Sequence, residues 1–243
     1  MNSKSFTQKI NWPQAVAEVG LIVTGILVAL AVNSWWEDRL ERQAEISYLE
    51  ALNSDFQSNR ESLETAIEEQ ENVINEGDEV LNLIKAGLNE ESSEEFFSKI
   101  GNKLYFFRNW TPFTGTYDDL ISSGRLLYIQ NSQLRNEMSE FRKSLELVQQ
   151  MERLQTETFY ARQSPFLAKY RDLNYSTWSE SYKPPASPFF ADIGSFATLE
   201  YWNLVVEWIY VHADIITNYK RRLADCNRIL ELIEVELANK HKS

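Results

Sequence analysis

"AEVGLIVTGILVALAVNSWW", residues 17–36, decides how the rest of the chain is read. Eighteen residues in a row, Val19 to Trp36, carry no charge, and nine of the fourteen from Val19 to Val32 are Val, Leu or Ile. Widened to Ala15–Trp36, the stretch holds 22 residues. As a helix rising about 1.5 Å per residue it reaches about 33 Å, enough for a hydrocarbon core about 30 Å thick. The nine aliphatic residues favour the bilayer by about 3 to 5 kcal/mol. A carboxylate at the centre would cost about 2.5 to 3.5 kcal/mol and cancel most of that. Glu18 lies at the edge instead, where water and headgroups reduce the cost. Trp12 near one end, with Trp35 and Trp36 at the other, stand as interfacial anchors, because an amphipathic indole prefers the headgroup level.

A cleaved signal peptide is the competing reading. Lys4 and Lys9 precede an apolar run of suitable length, and Ala29-Leu30-Ala31 resembles a small-residue cleavage site. Against it, Glu18 interrupts the approach, and the run passes without Gly or Pro into a charged helical pattern. A retained anchor is the expectation. The basic N-terminal flank favours a cytoplasmic N-terminus (residues 1–14), although Lys and Arg counts on the two flanks tie. At 100° per residue Glu18, Gly25 and Ala29 fall on one face, with Asn33 at its margin. Small residues four apart let helix backbones approach closely, and Asn can bond across the contact, so these four residues are the expected association face.

Net charge is −12, from 36 acidic and 24 basic residues, which argues against a nucleic-acid partner. Eight of those carboxylates lie between Glu61 and Glu79, a segment without Lys or Arg. Such a run reads first as a solvated helix face, and it lacks the Gly-centred loop of a calcium-binding hand. One cysteine, Cys226, precludes an internal disulfide, and two histidines, His212 and His241, make a histidine-built metal site improbable. Eight Gly and six Pro are too few for a turn-rich β protein. The expected class is all-α: a transmembrane helix (15–36) continuing into a long stalk helix, with a soluble helical bundle over 37–243.

Within that bundle, Leu49, Leu52, Phe56, Leu63, Ile67, Ile74, Leu81 and Ile84 recur at helical spacing along a stalk helix of about 37–86, closed by Gly87. Short helices are expected over about 92–130, the first starting at Ser92 or Ser93 and another capped by Thr116 and ended by Gly124. A long helix of about 132–170, capped by Asn131 or Ser132, follows. Residues 171–197 read as a loop packed by its own rings, where Trp178, Tyr182, Phe189 and Phe190 are the candidate ligand or partner contacts. The last helix, about 198–240, carries two heptad series, Trp202 to Leu237 and Val205 to Ile233, in the manner of a coiled-coil seam. That seam holds His212 and Cys226 in packed positions about 21 Å apart, too far for a catalytic pair. Phosphate loops, nucleophile elbows and paired metal motifs are absent from the sequence.

Two stretches carry a resemblance. Glu18, Ile22, Gly25, Ala29, Leu30, Asn33 and Trp35, with Thr116, Tyr117, Leu120, Ser122, Ser123, Gly124 and Leu126 of "TYDDLISSGRLLYIQNSQLRN", resemble a bacterial family of single-span membrane proteins known only as a domain of unknown function. In that family an acidic residue precedes the span, and a T-[FY]-x-x-L-x-S-S-G-x-L segment follows later. Ala31 and Trp36 depart from its pattern. The resemblance implies a bacterial inner-membrane protein with an uncleaved span; it implies no activity. The expected function is a non-enzymatic, membrane-anchored scaffold or assembly module without catalytic residues, metal or cofactor. Its bundle would lie in the periplasm, and its partners would be the lipid bilayer and either further copies or another membrane protein. A membrane-anchored small-molecule sensor is the alternative.

Overall fold

The computed structural model describes residues 12–105, 107–171, 188 and 191–240. Its secondary structure is helical throughout, as the composition led one to expect, with no strand among the described residues. Helix α1 runs without interruption from Trp12 to Ala86, 75 residues, or about 110 Å. None of its most apolar 18-residue window is buried. This is one helix long and apolar enough to cross a membrane.

Burial on α1 starts abruptly at Glu45 and continues with Leu49, Leu52, Phe56 and Leu63. From there the helix is a wall of the bundle, so the free stalk shrinks to the few exposed residues after Trp36. Gly87, at φ +96°, turns the chain out of α1, a left-handed conformation that only glycine adopts without strain. The second helix, α2 (Glu90–Asn102), begins two residues before the expected Ser92. Asn89 is its cap and Ser92 the third helical residue, each side chain bonding the other's backbone N–H in a capping box. The next helix, α3 (Gly115–Ser122), is preceded by Thr114 rather than capped by Thr116, and Gly124 at φ +70° ends it. A single 3-10 turn, Leu126–Tyr128, then leads to Asn131. The Asn131 side chain accepts from the Leu134 N–H and opens α4 (Ser132–Thr158).

A π-turn over Phe159–Gln163 joins α4 to α5 (Ser164–Tyr170) without a break in the helical path. Pro165 supplies the cause: it lacks an N–H, and its ring would strike the carbonyl four residues back, so the preceding turn widens. After α6 (Ile193–Phe196) comes α7 (Leu199–Lys240), which runs antiparallel to both α1 and α4. Lys220 of α7 meets Glu71 of α1, and Arg228 meets Glu137 of α4.

The buried stripe of α7 is wider than a two-series seam. Val205, His212, Tyr219, Cys226 and Ile233 are all buried and form its centre. Of the other predicted series, Ile216 and Leu230 are buried, while a third series of Tyr201, Trp208, Ile215 and Ile229 is buried as well. A helix wedged between two neighbours needs this broad stripe, because it must bury one flank against α1 and the other against α4. The core divides into two clusters: one around Leu49–Ile67, Phe141–Val148 and Ile215–Ile233, the other around Phe96, Phe159, Phe196 and Trp208.

Candidate functional site

Between the two apolar clusters lies a polar layer built by one residue from each long helix. Gln70 of α1, Gln155 of α4 and His212 of α7 are at most 1% exposed. The Gln155 amide nitrogen donates to Gln70 Oε1 at 3.2 Å and faces His212 Nε2 at 3.2 Å. Gln70 in turn donates to the Arg108 carbonyl at 3.2 Å. Burial pushes the His212 imidazole down to about 3, so it is neutral at pH 7 and accepts the Gln155 proton. The Trp208 and Phe107 rings pack edge-on against it. Gln155 Oε1 is buried without a hydrogen-bond partner, so the layer is not fully satisfied, which costs stability.

One turn away, Glu152 receives two donors on a single oxygen: the Tyr219 hydroxyl at 2.5 Å and the Trp110 N–H at 3.0 Å. Desolvation raises the Glu152 carboxyl above its ordinary value, and these two hydrogen bonds work against that rise. Tyr219 is raised by the same burial and by the adjacent carboxylate. The indole N–H of Trp110 donates to Ser62 Oγ at 2.9 Å. These groups orient one another and have no exposed nucleophile among them. Cys226 is likewise fully buried, with its thiol pushed up to about 12 by desolvation, so it is an unreactive packing residue.

The same face of α1 holds the segment from Arg108 to Gln130 by its backbone. Asn59 is fully buried; its amide donates to the Phe113 carbonyl at 2.8 Å, and its oxygen accepts from the Phe113 N–H at 2.7 Å. Asp55 accepts from the Thr116 N–H at 3.0 Å, and Glu45 accepts from the Gln130 N–H at 2.8 Å. Arg125 donates to the Tyr48 hydroxyl at 3.0 Å. The polar side chains of α1 thus serve as a template for this stretch, bonding backbone groups that lie at or beyond the ends of α3 and of the 3-10 turn. Tyr117, Leu120 and Ile129 are buried beneath it. Lys240, near the end of α7, bonds Glu45 at 2.6 Å and Gln130 Oε1 at 2.9 Å, closing the bundle where α1 enters it.

The residues predicted as an association face are separate from this layer. Gly25 has open space around the position a Cβ would take, Asn33 bonds Glu37 one turn on at 2.9 Å, and Glu18 and Ala29 are exposed. Trp35 and Trp36 are exposed too, and the Arg39 guanidinium sits over the Trp35 ring at 5.9 Å. Trp12 begins α1. Trp178, Tyr182, Phe189 and Phe190 lie outside the described residues; the chain on either side is joined by a bond from the Asp192 N–H to the Tyr170 carbonyl at 3.0 Å. Among the described residues no cluster of His, Cys, Asp and Glu could hold a metal ion. The acidic run of α1 is a solvated face with cationic neighbours: Glu76 meets Lys99 and Lys103, and Glu71 meets Lys220.

A family model matches residues 18–152, from the acid before the apolar stretch, through the templated segment, to Glu152 of the buried polar pair. The chain belongs to DUF6090, a family of unknown function. Within this DUF6090 chain the matched stretch covers α1 from Glu18, all of α2 and α3, and most of α4, whereas α7, which completes both core clusters, lies beyond it. No curated protein and no solved structure matches the chain.

Proposed function

We propose that the chain is a non-enzymatic, membrane-anchored assembly module of the bacterial inner membrane. Residues 15–36 would be its single span, with the N-terminus cytoplasmic and the bundle in the periplasm. One observation carries the reading: a single unbroken helix is bare over its apolar first third and forms a wall of a packed bundle over the rest. A bare apolar surface of that length is stable only in lipid or against other spans. The bundle then acts as a rigid extension, since no hinge separates α1 in the bilayer from α1 in the core.

Association is assigned to the face of Glu18, Gly25, Ala29 and Asn33. The non-enzymatic reading draws support from the buried titratable groups, each held by packing or by another side chain in the core. The test is chemical crosslinking and single-molecule photobleaching of the full chain in lipid vesicles, comparing the wild type with Glu18→Gln and Gly25→Leu. Association weakened several-fold by Gly25→Leu, with insertion unchanged in both variants, is the expected result. A strictly monomeric wild type that co-purifies with no protein would overturn the proposal. A reporter fused after Ser243 tests the orientation.

A further inference from the structure

We propose that the groove where α1 leaves the apolar stretch binds the headgroup of a zwitterionic aminophospholipid, a phosphoethanolamine. The proposal rests on reading α1 as a membrane span and adds a ligand to it. The groove lies between α1 and the underside of the bundle, lined by Trp35, Asp38, Arg39, Glu41, Arg42 and, from above, Gln130. Asp38 to Arg42 follow Trp36 by two to six residues, which places them about 3 to 9 Å beyond the indole along the helix axis. A headgroup layer is about 5 to 8 Å thick on each side of the hydrocarbon. The groove is therefore at headgroup depth.

Its charges are the second observation. Two guanidinium groups and two carboxylates line it, and none of the four forms an ion pair with any described residue. Asp38 and Arg42 stand four residues apart on one helix face, yet they do not close on each other. Arg39 instead rests over Trp35, which holds its guanidinium toward the membrane side. Paired Arg forks suit a phosphodiester, and the two carboxylates suit an ammonium that donates hydrogen bonds. A phosphoglycerol headgroup would bring no cation to those carboxylates. A choline would bring a cation without an N–H to donate. The combination selects phosphoethanolamine.

The experiment uses the full chain, delipidated in detergent and offered equal amounts of dioleoyl phosphatidylethanolamine, phosphatidylglycerol and phosphatidylcholine, with bound lipid counted by native mass spectrometry. The wild type should retain the ethanolamine lipid about tenfold over either competitor, the advantage of charge-assisted hydrogen bonds. Asp38→Asn/Glu41→Gln should keep a bound phospholipid but lose the preference among the three. Arg39→Gln/Arg42→Gln should lose all three. These side chains are exposed, so both variants should melt as the wild type does. Flotation with vesicles is measured in parallel. A chain that does not float removes the span reading and this one with it. A chain that floats but retains the three lipids equally, or whose carboxamide variant still prefers the ethanolamine lipid, overturns the headgroup site alone.

Discussion

Acid should unfold this bundle through His212, and the size of the effect follows from its burial. The imidazole is fully buried and held down to about 3, while in the unfolded chain it titrates at about 6.5. The unfolded state therefore binds the proton first. Stability is complete above about pH 6.5 and falls as the pH drops from 6.5 toward 3. At pH 5 the folded imidazole is still neutral, so the loss depends only on the unfolded value. One and a half units at about 1.36 kcal/mol each give about 2 kcal/mol. Glu152 has the opposite sign: its raised carboxyl adds stability at low pH that fades as the pH rises. Comparison with His212→Gln removes that contribution, because Glu152 and the surface carboxylates are common to both chains. Urea unfolding of the full chain in detergent, followed by circular dichroism at pH 7, 6 and 5, should give the wild type about 2 kcal/mol more loss than the variant between pH 7 and 5. Equal losses in the two chains would refute the buried, neutral imidazole.

Two further perturbations test the packing around this layer. Asn59→Leu should cost about 2 kcal/mol, since it removes both hydrogen bonds that the fully buried Asn59 makes to the Phe113 backbone, at about 1 kcal/mol each, and limited proteolysis should then cut faster between residues 107 and 116. Gly77→Leu should cost about 1 to 3 kcal/mol by overpacking, because even a Cβ there would meet Ile209 Cγ1 at 2.7 Å; an unchanged thermal midpoint would show that α1 and α7 are not in close contact at that point.

Much of the architecture was legible in the sequence because it rests on local chemistry. Eighteen uncharged residues read as part of a helix long and apolar enough to span a membrane without tertiary knowledge, and glycines at 87 and 124 marked turns that need positive φ. The central series of α7 was equally legible, since five residues spaced by seven all proved buried. The third series was missed although Tyr201, Trp208, Ile215 and Ile229 carry the signal openly. A two-series template assumes a two-helix contact, and only the presence of α4 on the other flank calls for the wider stripe. The cap at Asn89 was missed for a different reason: Ser92 is a good cap residue, and its partnership in a capping box depends on a backbone turn that composition does not reveal.

The polar layer left a trace that runs against the usual reading of such patterns. Along α1 the apolar stripe of Leu49, Leu52, Phe56, Leu63 and Ile67 leaves gaps at Asn59, Gln70 and Gly77. In an acid-rich helix those gaps look like solvated positions, yet each is buried and each has a specific contact: Phe113 for Asn59, Gln155 for Gln70 and Ile209 for Gly77. The buried positions keep a strict seven-residue repeat, 45, 52, 59, 66, 73 and 80 in one series and 49, 56, 63, 70 and 77 in the other, which is why Val73 and Val80 are buried more deeply than Ile74 and Leu81. Polar or small residues in register with an apolar stripe are therefore the positions where α1 does more than fill space: they fix the templated segment, the depth of α7 and the polar layer between the two cores.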